Sequence, residues 1–155
     1  MSVVMGKKHV MDILEPYDVA STYAGMPAAC AAGLAALDIL EKDKISAQAQ
    51  RLGELLAKSI DNAALPHILE HRGRGRGLFQ TLVIDEVPSK GITARRIAAL
   101  CAFRGVLCGN SANRLRFSPP LTISEEALTK AVEVLSGAFK DVGALGDFPG
   151  AHGLD

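Results

Sequence analysis

Net charge is the first thing this sequence lacks. Its 17 Lys and Arg residues balance 17 Asp and Glu, so the chain as a whole offers no field to draw it to nucleic acid or an anionic membrane. Any polyanion site must be local. Cysteine is scarce too: Cys30, Cys101 and Cys108 are an odd set without C-x-x-C spacing. That excludes a disulfide framework or zinc pattern read from spacing, and it fits a reducing, cytoplasmic setting. His9, His67, His71 and His152 stand at no metal-ligand spacing with the cysteines or with one another, and no Ser-His-Asp triad can be built from them. Long apolar runs are missing as well. Met26 to Leu40 stops at Glu41 and Lys42, too short for a membrane span, and Met1 to Gly6 carries no charged leader. No membrane partner is expected, and a mitochondrial address would belong at the front of a longer precursor.

What is present is a globular composition. With 155 residues, 48% of them hydrophobic and 22% charged, the chain builds one core and has little room for a second. Ser2 to Met5 is a short β-branched run stopped by Gly6, and reads as the last strand of a sheet whose other strands lie elsewhere. Pro27 opens a long helix in which Ala28 to Leu40 is apolar on nearly every face, which predicts burial on most sides against a large partner surface. A second, amphipathic helix runs from about Ile45 to Ile60, with Ile45, Ala49, Leu52, Leu56 and Ile60 on one stripe. Leu78 to Ile84 suits a strand, Thr93 caps a helix through Phe103 that Gly105 stops, and Val106 to Cys108 begins another short strand. In Arg114 to Phe117 the alternation puts both arginines on one face and both apolar side chains on the other. Thr122 with Glu125 offers a capping box for a final helix striped by Leu128, Ala131, Val132, Leu135, Phe139 and Val142. Gly143 to Asp155 reads as a mobile tail. The order of elements predicts an α+β fold, a mostly antiparallel sheet with helices on one face.

Two constellations carry candidate chemistry. Ser21 and Thr22 lie just upstream of Pro27, so hydroxyls and unpaired backbone N–H groups gather at a helix start, where an anion is favoured. On spacing alone they are either a phosphate site or residues that simply cap the helix or stabilise the turn. Arg116 presents a guanidinium that can grip a carboxylate through two parallel hydrogen bonds, or can be a solvated strand residue beside Arg114. The run Arg72 to Gly77, Arg-Gly-Arg-Gly-Arg-Gly, lacks aromatic interleaving and a following helix, and reads as a structural turn ahead of an RNA-binding or phosphate loop.

Ser21-Thr22-Tyr23-Ala24-Gly25-Met26-Pro27 and Leu115-Arg116-Phe117-Ser118-Pro119-Pro120-Leu121 resemble two motifs of the class III, fold-type I, pyridoxal-phosphate-dependent aminotransferases, with ornithine aminotransferases the nearest members. The first resembles His-Gly-Ser-Thr-aromatic-Gly-Gly-Asn-Pro, from which Val19, Ala20, Ala24 and Met26 depart. The second resembles apolar-Arg-Phe-Ala-Pro-Pro-Leu, with Ser118 in place of alanine. Arg74, Gly75, Gly77 and Leu78 fit the family's Arg-Gly-x-Gly-Leu turn, and Gly6 to Met11 stands where the family leaves its cofactor-lysine loop. The resemblance covers about Ser2 to Val142.

The resemblance implies a division of the chain. Residues 1–20 would be the end of the large cofactor domain, residues 21–142 the interdomain helix and small C-terminal domain, and residues 143–155 a tail. It implies pyridoxal 5'-phosphate as cofactor, with Ser21 and Thr22 on its phosphate across a dimer, and Arg116 on the substrate carboxylate. The implied reaction is amino transfer from ornithine to 2-oxoglutarate. The family's Schiff-base lysine, ring-nitrogen aspartate, stacking aromatic and Gly-Ser/Thr loop all belong upstream of these residues. Lys7 and Lys8 lie past the lysine position in a hydrated, charged run. The expectation is therefore a chain that is inactive alone and works with a complementary N-terminal chain or an intact subunit, as a homo- or hetero-oligomer. The alternative is a non-catalytic module that binds an anionic ligand or a protein through the face of Arg114 and Arg116.

Overall fold

The computed structural model describes residues 3–19 and 21–146. The chain divides between Lys44 and Ile45 into two compact units. In the first, a single turn of helix, α1 (Lys8–Met11), precedes α2 (Pro27–Lys42). Pro27 occupies the first turn of α2, where its missing N–H costs nothing. Val3 to Met5 is not a strand: it is exposed backbone without a ladder partner, and Ser2 and Ala20 lie outside the described residues. No residue of α2 is buried, and Leu34, Leu37 and Ile39 are 68%, 59% and 54% exposed. The expected burial on most sides is thus not met. The helix has the composition of a core element, and within this unit Val3 lines a pocket with Cys30, Gly33, Leu34 and Leu37 of α2.

The second unit holds the core. It runs α3 (Ile45–Asn62), β1 (Ile68–Arg72), β2 (Gln80–Ile84), a 3₁₀ turn at Pro88–Lys90, α4 (Ala94–Phe103), β3 (Gly109–Ser111), β4 (Arg114–Phe117) and α5 (Glu125–Asp141). The strands form one antiparallel sheet in the order β1-β2-β4-β3. Alternation is clear in β4, where Leu115 is buried between exposed Arg114 and Arg116, whereas β1 carries a register shift between Ile68 and Glu70. Leu82, Ile84 and Leu115 point inward and share one cluster with Leu52, Leu56, Ile97, Leu128 and Leu135 from the three helices. Glu70, Arg72, Arg114 and Arg116 are exposed on the opposite face. The expected α+β layer is therefore what forms, and β1, to which the sequence pattern gave no signal, adds an edge strand.

Local chemistry sets the helix ends. The Thr93 hydroxyl accepts from Arg96 N–H at 3.2 Å and caps α4 as expected. For α5 the cap is Ser124, accepting from Ala127 N–H at 3.1 Å, and not Thr122. Glu125 and Glu126 in the first turn then complement the helix dipole, and Glu125 also pairs with Arg51 of α3. Arg96, buried in α4, donates to the carbonyls of Leu145 and Gly146 at 2.9 and 2.8 Å, so these positions of the expected tail are held. Residues 147–155 of that tail lie outside the described residues. Among the described residues no helix is long and apolar enough to cross a membrane.

The Arg-Gly run is a turn clamped from behind. Gly73, Gly75 and Gly77 all take positive φ, and Arg74 grips both carboxylate oxygens of Asp61 on α3. Beneath it sits a buried polar chain. The Gln80 amide nitrogen donates to the carbonyls of Gly53 at 2.7 Å and Gly77 at 3.0 Å, which leaves its oxygen to accept from His71 Nε2 at 2.7 Å. Gln80 is wholly inaccessible, so these bonds replace water completely. Replacing it with Met keeps the length and leaves two buried carbonyls and the imidazole N–H without this partner. We expect a loss of about 2–3 kcal/mol, read from urea unfolding.

Candidate anion-binding site

The cross-strand register separates the two arginines that the sequence placed on one face. One row across the sheet reads Glu70, Val83, Arg114, Ser111; another reads Arg72, Thr81, Arg116, Gly109. Arg114 lies in the row of Glu70. With Arg72, which hydrogen-bonds Glu70 at 2.7 Å, it holds that carboxyl below the usual carboxylate range, the Arg72 hydrogen bond being the larger cause. Both are surface charges in a small local network. Arg116 is different: among the described residues no carboxylate pairs with it, and its guanidinium lies across Gly109. A Cβ added at Gly109 would stand 3.3 Å from both Arg116 Nε and Nη2. The missing side chain makes room for the guanidinium to lie close to the backbone.

Arg116 also lines a cavity of about 350 Å³ whose wall is otherwise mostly apolar, including Val106, Phe117, Pro119, Leu128 and Val132. Strand β4 brings the arginine there, and the Ser118-Pro119-Pro120 segment, which cannot continue the ladder at its prolines, turns the chain to close one wall. An exposed planar cation beside an apolar wall suits a small carboxylate with a short carbon skeleton.

Ser21 and Thr22 belong to the first unit and Arg116 to the second. Both hydroxyl residues are exposed in the turn that leads to α2. Ala24 N–H donates to Ser21 O at 3.0 Å, so the turn is closed by backbone. No side chain caps α2, whose N-cap is Met26, and its first turn has no acidic residue. The reading of Ser21 or Thr22 as that cap is excluded. Their hydroxyls and the α2 terminus are left with the donors an anion requires. Lys8 is exposed and ion-paired with Asp12 in the next helical turn. It is a solvated surface charge rather than a desolvated amine. Exposed hydroxyls beside a helix N-terminus suit a phosphate, and the Arg116 fork suits a carboxylate.

Sequence reasoning missed Cys101 and Cys108. Cys101 is fully buried in α4, and Cys108 is half-buried on the cavity wall immediately before β3. Interaction with Cys108, with burial adding to it, pushes the Cys101 thiol up, and interaction with Cys101 draws Cys108 down. Among the described residues no group of three or more His, Cys, Asp or Glu is placed to hold a metal.

The Aminotransferase class-III family model matches residues 1–139, and the chain belongs to that family. Within it, ornithine aminotransferases are similar over most of these residues. The ornithine aminotransferase of Schizosaccharomyces pombe is 35% identical over 153 residues, covering 98% of this chain and 34% of that protein. That of Emericella nidulans is 34% identical over 143 residues, covering 92% of this chain and 31% of that protein. The crystal structure of the ornithine aminotransferase from Toxoplasma gondii superposes with a TM-score of 0.74 at 31% identity, over 90% of this chain and 33% of that one. The acetylornithine aminotransferase from Elizabethkingia anophelis gives 0.71 at 30% identity, over 85% and 33%. The chain therefore spans about a third of the length of the curated relatives it matches.

Proposed function

We propose that these residues are the C-terminal portion of an ornithine aminotransferase-like enzyme, which moves an amino group from ornithine to 2-oxoglutarate and yields glutamate semialdehyde and glutamate. The observation that carries the reading is Arg116, an arginine without a described carboxylate partner, seated on Gly109 at the wall of a small apolar cavity. In this reading residues 1–20 close the large cofactor domain, and residues 21–142 form the interdomain helix and small domain. Residues 143–155 form the tail.

Pyridoxal phosphate, when bound, supplies an aldehyde to take up the amino group and a ring that withdraws electrons from the reacting carbon. The work of this chain is to bind and orient. The Thr22 hydroxyl, with Ser21 beside it, donates to the phosphate, and the positive end of α2 stabilises its charge. The phosphate is that of a neighbouring subunit's cofactor. The uncovered apolar surface of α2 supports such a neighbour, because Leu34, Leu37 and Ile39 would be buried against it. Arg116 holds the substrate carboxylate by its planar fork and so fixes the direction in which the amino-bearing carbon points. Neither Lys7 nor Lys8 suits the amine that must hold the cofactor and shuttle the proton, since both are exposed. That amine comes from the rest of a subunit, in the same polypeptide or in another one.

The test is replacement of the matching third of the Schizosaccharomyces pombe enzyme by this chain, followed by an assay of semialdehyde from ornithine and 2-oxoglutarate. We expect turnover that depends on both substrates. A folded, cofactor-loaded hybrid with no turnover would overturn the proposal.

A further inference from the structure

We propose that Ser118 is a second carboxylate-binding residue of the Arg116 cavity, its hydroxyl donating a hydrogen bond to the same carboxylate that the arginine fork grips. The assignment rests on the proposed role of Arg116 in holding a substrate carboxylate. The two residues stand two positions apart in the chain, and both line the cavity. Strand β4 ends at Phe117, yet Pro119 disfavours a helical conformation at Ser118, so the backbone stays extended and the alternation of faces continues past the last ladder pair. That places the Ser118 side chain on the face of Arg116. Ser118 is exposed, and among the described residues its hydroxyl has no hydrogen-bond partner.

The rest of the wall decides what this pair can hold. Apart from Arg116 and Ser118, the only lining side chain with a polar hydrogen is the thiol of Cys108, a weak donor, and no Asp or Glu stands among the lining residues to repel an anion. The cavity thus gathers its two strong side-chain donors at one place. Gly109 seats the guanidinium from behind, which leaves the fork pointing in a set direction. A carboxylate offers about four lone-pair sites, and a bidentate fork takes two of them. The Ser118 hydroxyl fills a third. A fork alone leaves the bound carboxylate free to tilt about it, and a donor standing to one side removes that freedom, which matters for a substrate whose reacting carbon must be aimed. Alanine at this position, as in the motif that this segment resembles, would leave the third site to water.

The experiment titrates the full, isotope-labelled chain with glutarate, a small dicarboxylate probe, and follows the amide resonances of Gly109, Phe117 and Leu128 on or beside the cavity wall. Saturable shifts at these residues are expected. Ser118→Ala should weaken binding about tenfold, as befits one hydrogen bond to a charged group, and Ser118→Thr, which keeps the hydroxyl, should restore it. Arg116→Met should abolish it. Because Ser118 is exposed, its removal strands no buried group, and unmoved resonances elsewhere in the sheet report that the fold is kept. Equal affinity of Ser118→Ala and the unmodified chain, with binding lost in Arg116→Met, would overturn the role of Ser118 and leave the arginine grip standing. A loss in Ser118→Ala that Ser118→Thr does not recover would overturn it too, since shape and not the hydroxyl would then be responsible. The absence of saturable shifts in the unmodified chain would overturn this role together with the reading of Arg116. The readout is binding and needs no amino transfer.

Discussion

Arg116→Met in the hybrid enzyme is expected to raise KM for ornithine and 2-oxoglutarate by about 10²–10⁴-fold and to leave the melting temperature unchanged. The magnitude follows from the loss of two charge-assisted hydrogen bonds to a carboxylate, each contributing about 1.5–3 kcal/mol. The unchanged stability follows from the position: Arg116 is exposed and makes no described ion pair, so its removal strands no buried group. Arg116→Lys keeps the charge and loses the fork, and should fall between the two. Arg114→Met is the control on the same strand, since Arg114 lies in the Glu70 row and away from the Gly109 seat. Steady-state kinetics with each substrate varied in turn separates these outcomes. Equal effects of the two Met variants would mean that general charge, and not a seated grip, recognises the substrate.

Gly53→Ala is expected to destabilise the second unit by about 3 kcal/mol and to lower Tm by about 10 °C or more. Alanine is ordinarily the better helix former, so the sign is opposite to what propensity alone gives. The reason is contact. A Cβ at Gly53 would stand 2.2 Å from the Gly77 carbonyl oxygen and 2.4 Å from its carbon, and both are backbone atoms of a turn already fixed by Arg74 and Gln80. Helix α3 must move off the sheet, taking Leu52 and Leu56 with it. Gly75→Ala tests the alternative, because Gly75 has positive φ of 71° and nothing near its absent Cβ. It should cost only the conformational term of about 1–2 kcal/mol. Thermal unfolding of both variants would show the difference, and a smaller effect at Gly53 than at Gly75 would contradict the packing account.

The second unit was legible because its apolar residues obey one period at a time. The α5 stripe of Leu128, Val132, Leu135 and Phe139 and the alternation in Arg114 to Phe117 are each settled by burial on a single face. β1 was not legible: Glu70, His71 and Arg72 are polar, as suits an edge strand, and its one sequestered imidazole is held by Gln80 from the next strand. The α5 cap was misplaced because Thr122 and Ser124 are both hydroxyl residues, and only backbone geometry decides which one faces the free N–H groups. Val3 to Met5 shows the limit of propensity, since β-branched residues make a strand only beside another strand. Of the site, Arg116 could be read from its neighbours in sequence. Its seat on Gly109 could not.

The most direct measurement is formation of glutamate semialdehyde by the purified 155-residue polypeptide, supplied with pyridoxal phosphate, ornithine and 2-oxoglutarate. The account predicts no turnover from this polypeptide alone, and turnover when the remaining portion of a related ornithine aminotransferase subunit is added. Sustained semialdehyde production by the polypeptide on its own would contradict it, because one of these exposed lysines would then be serving as the catalytic amine.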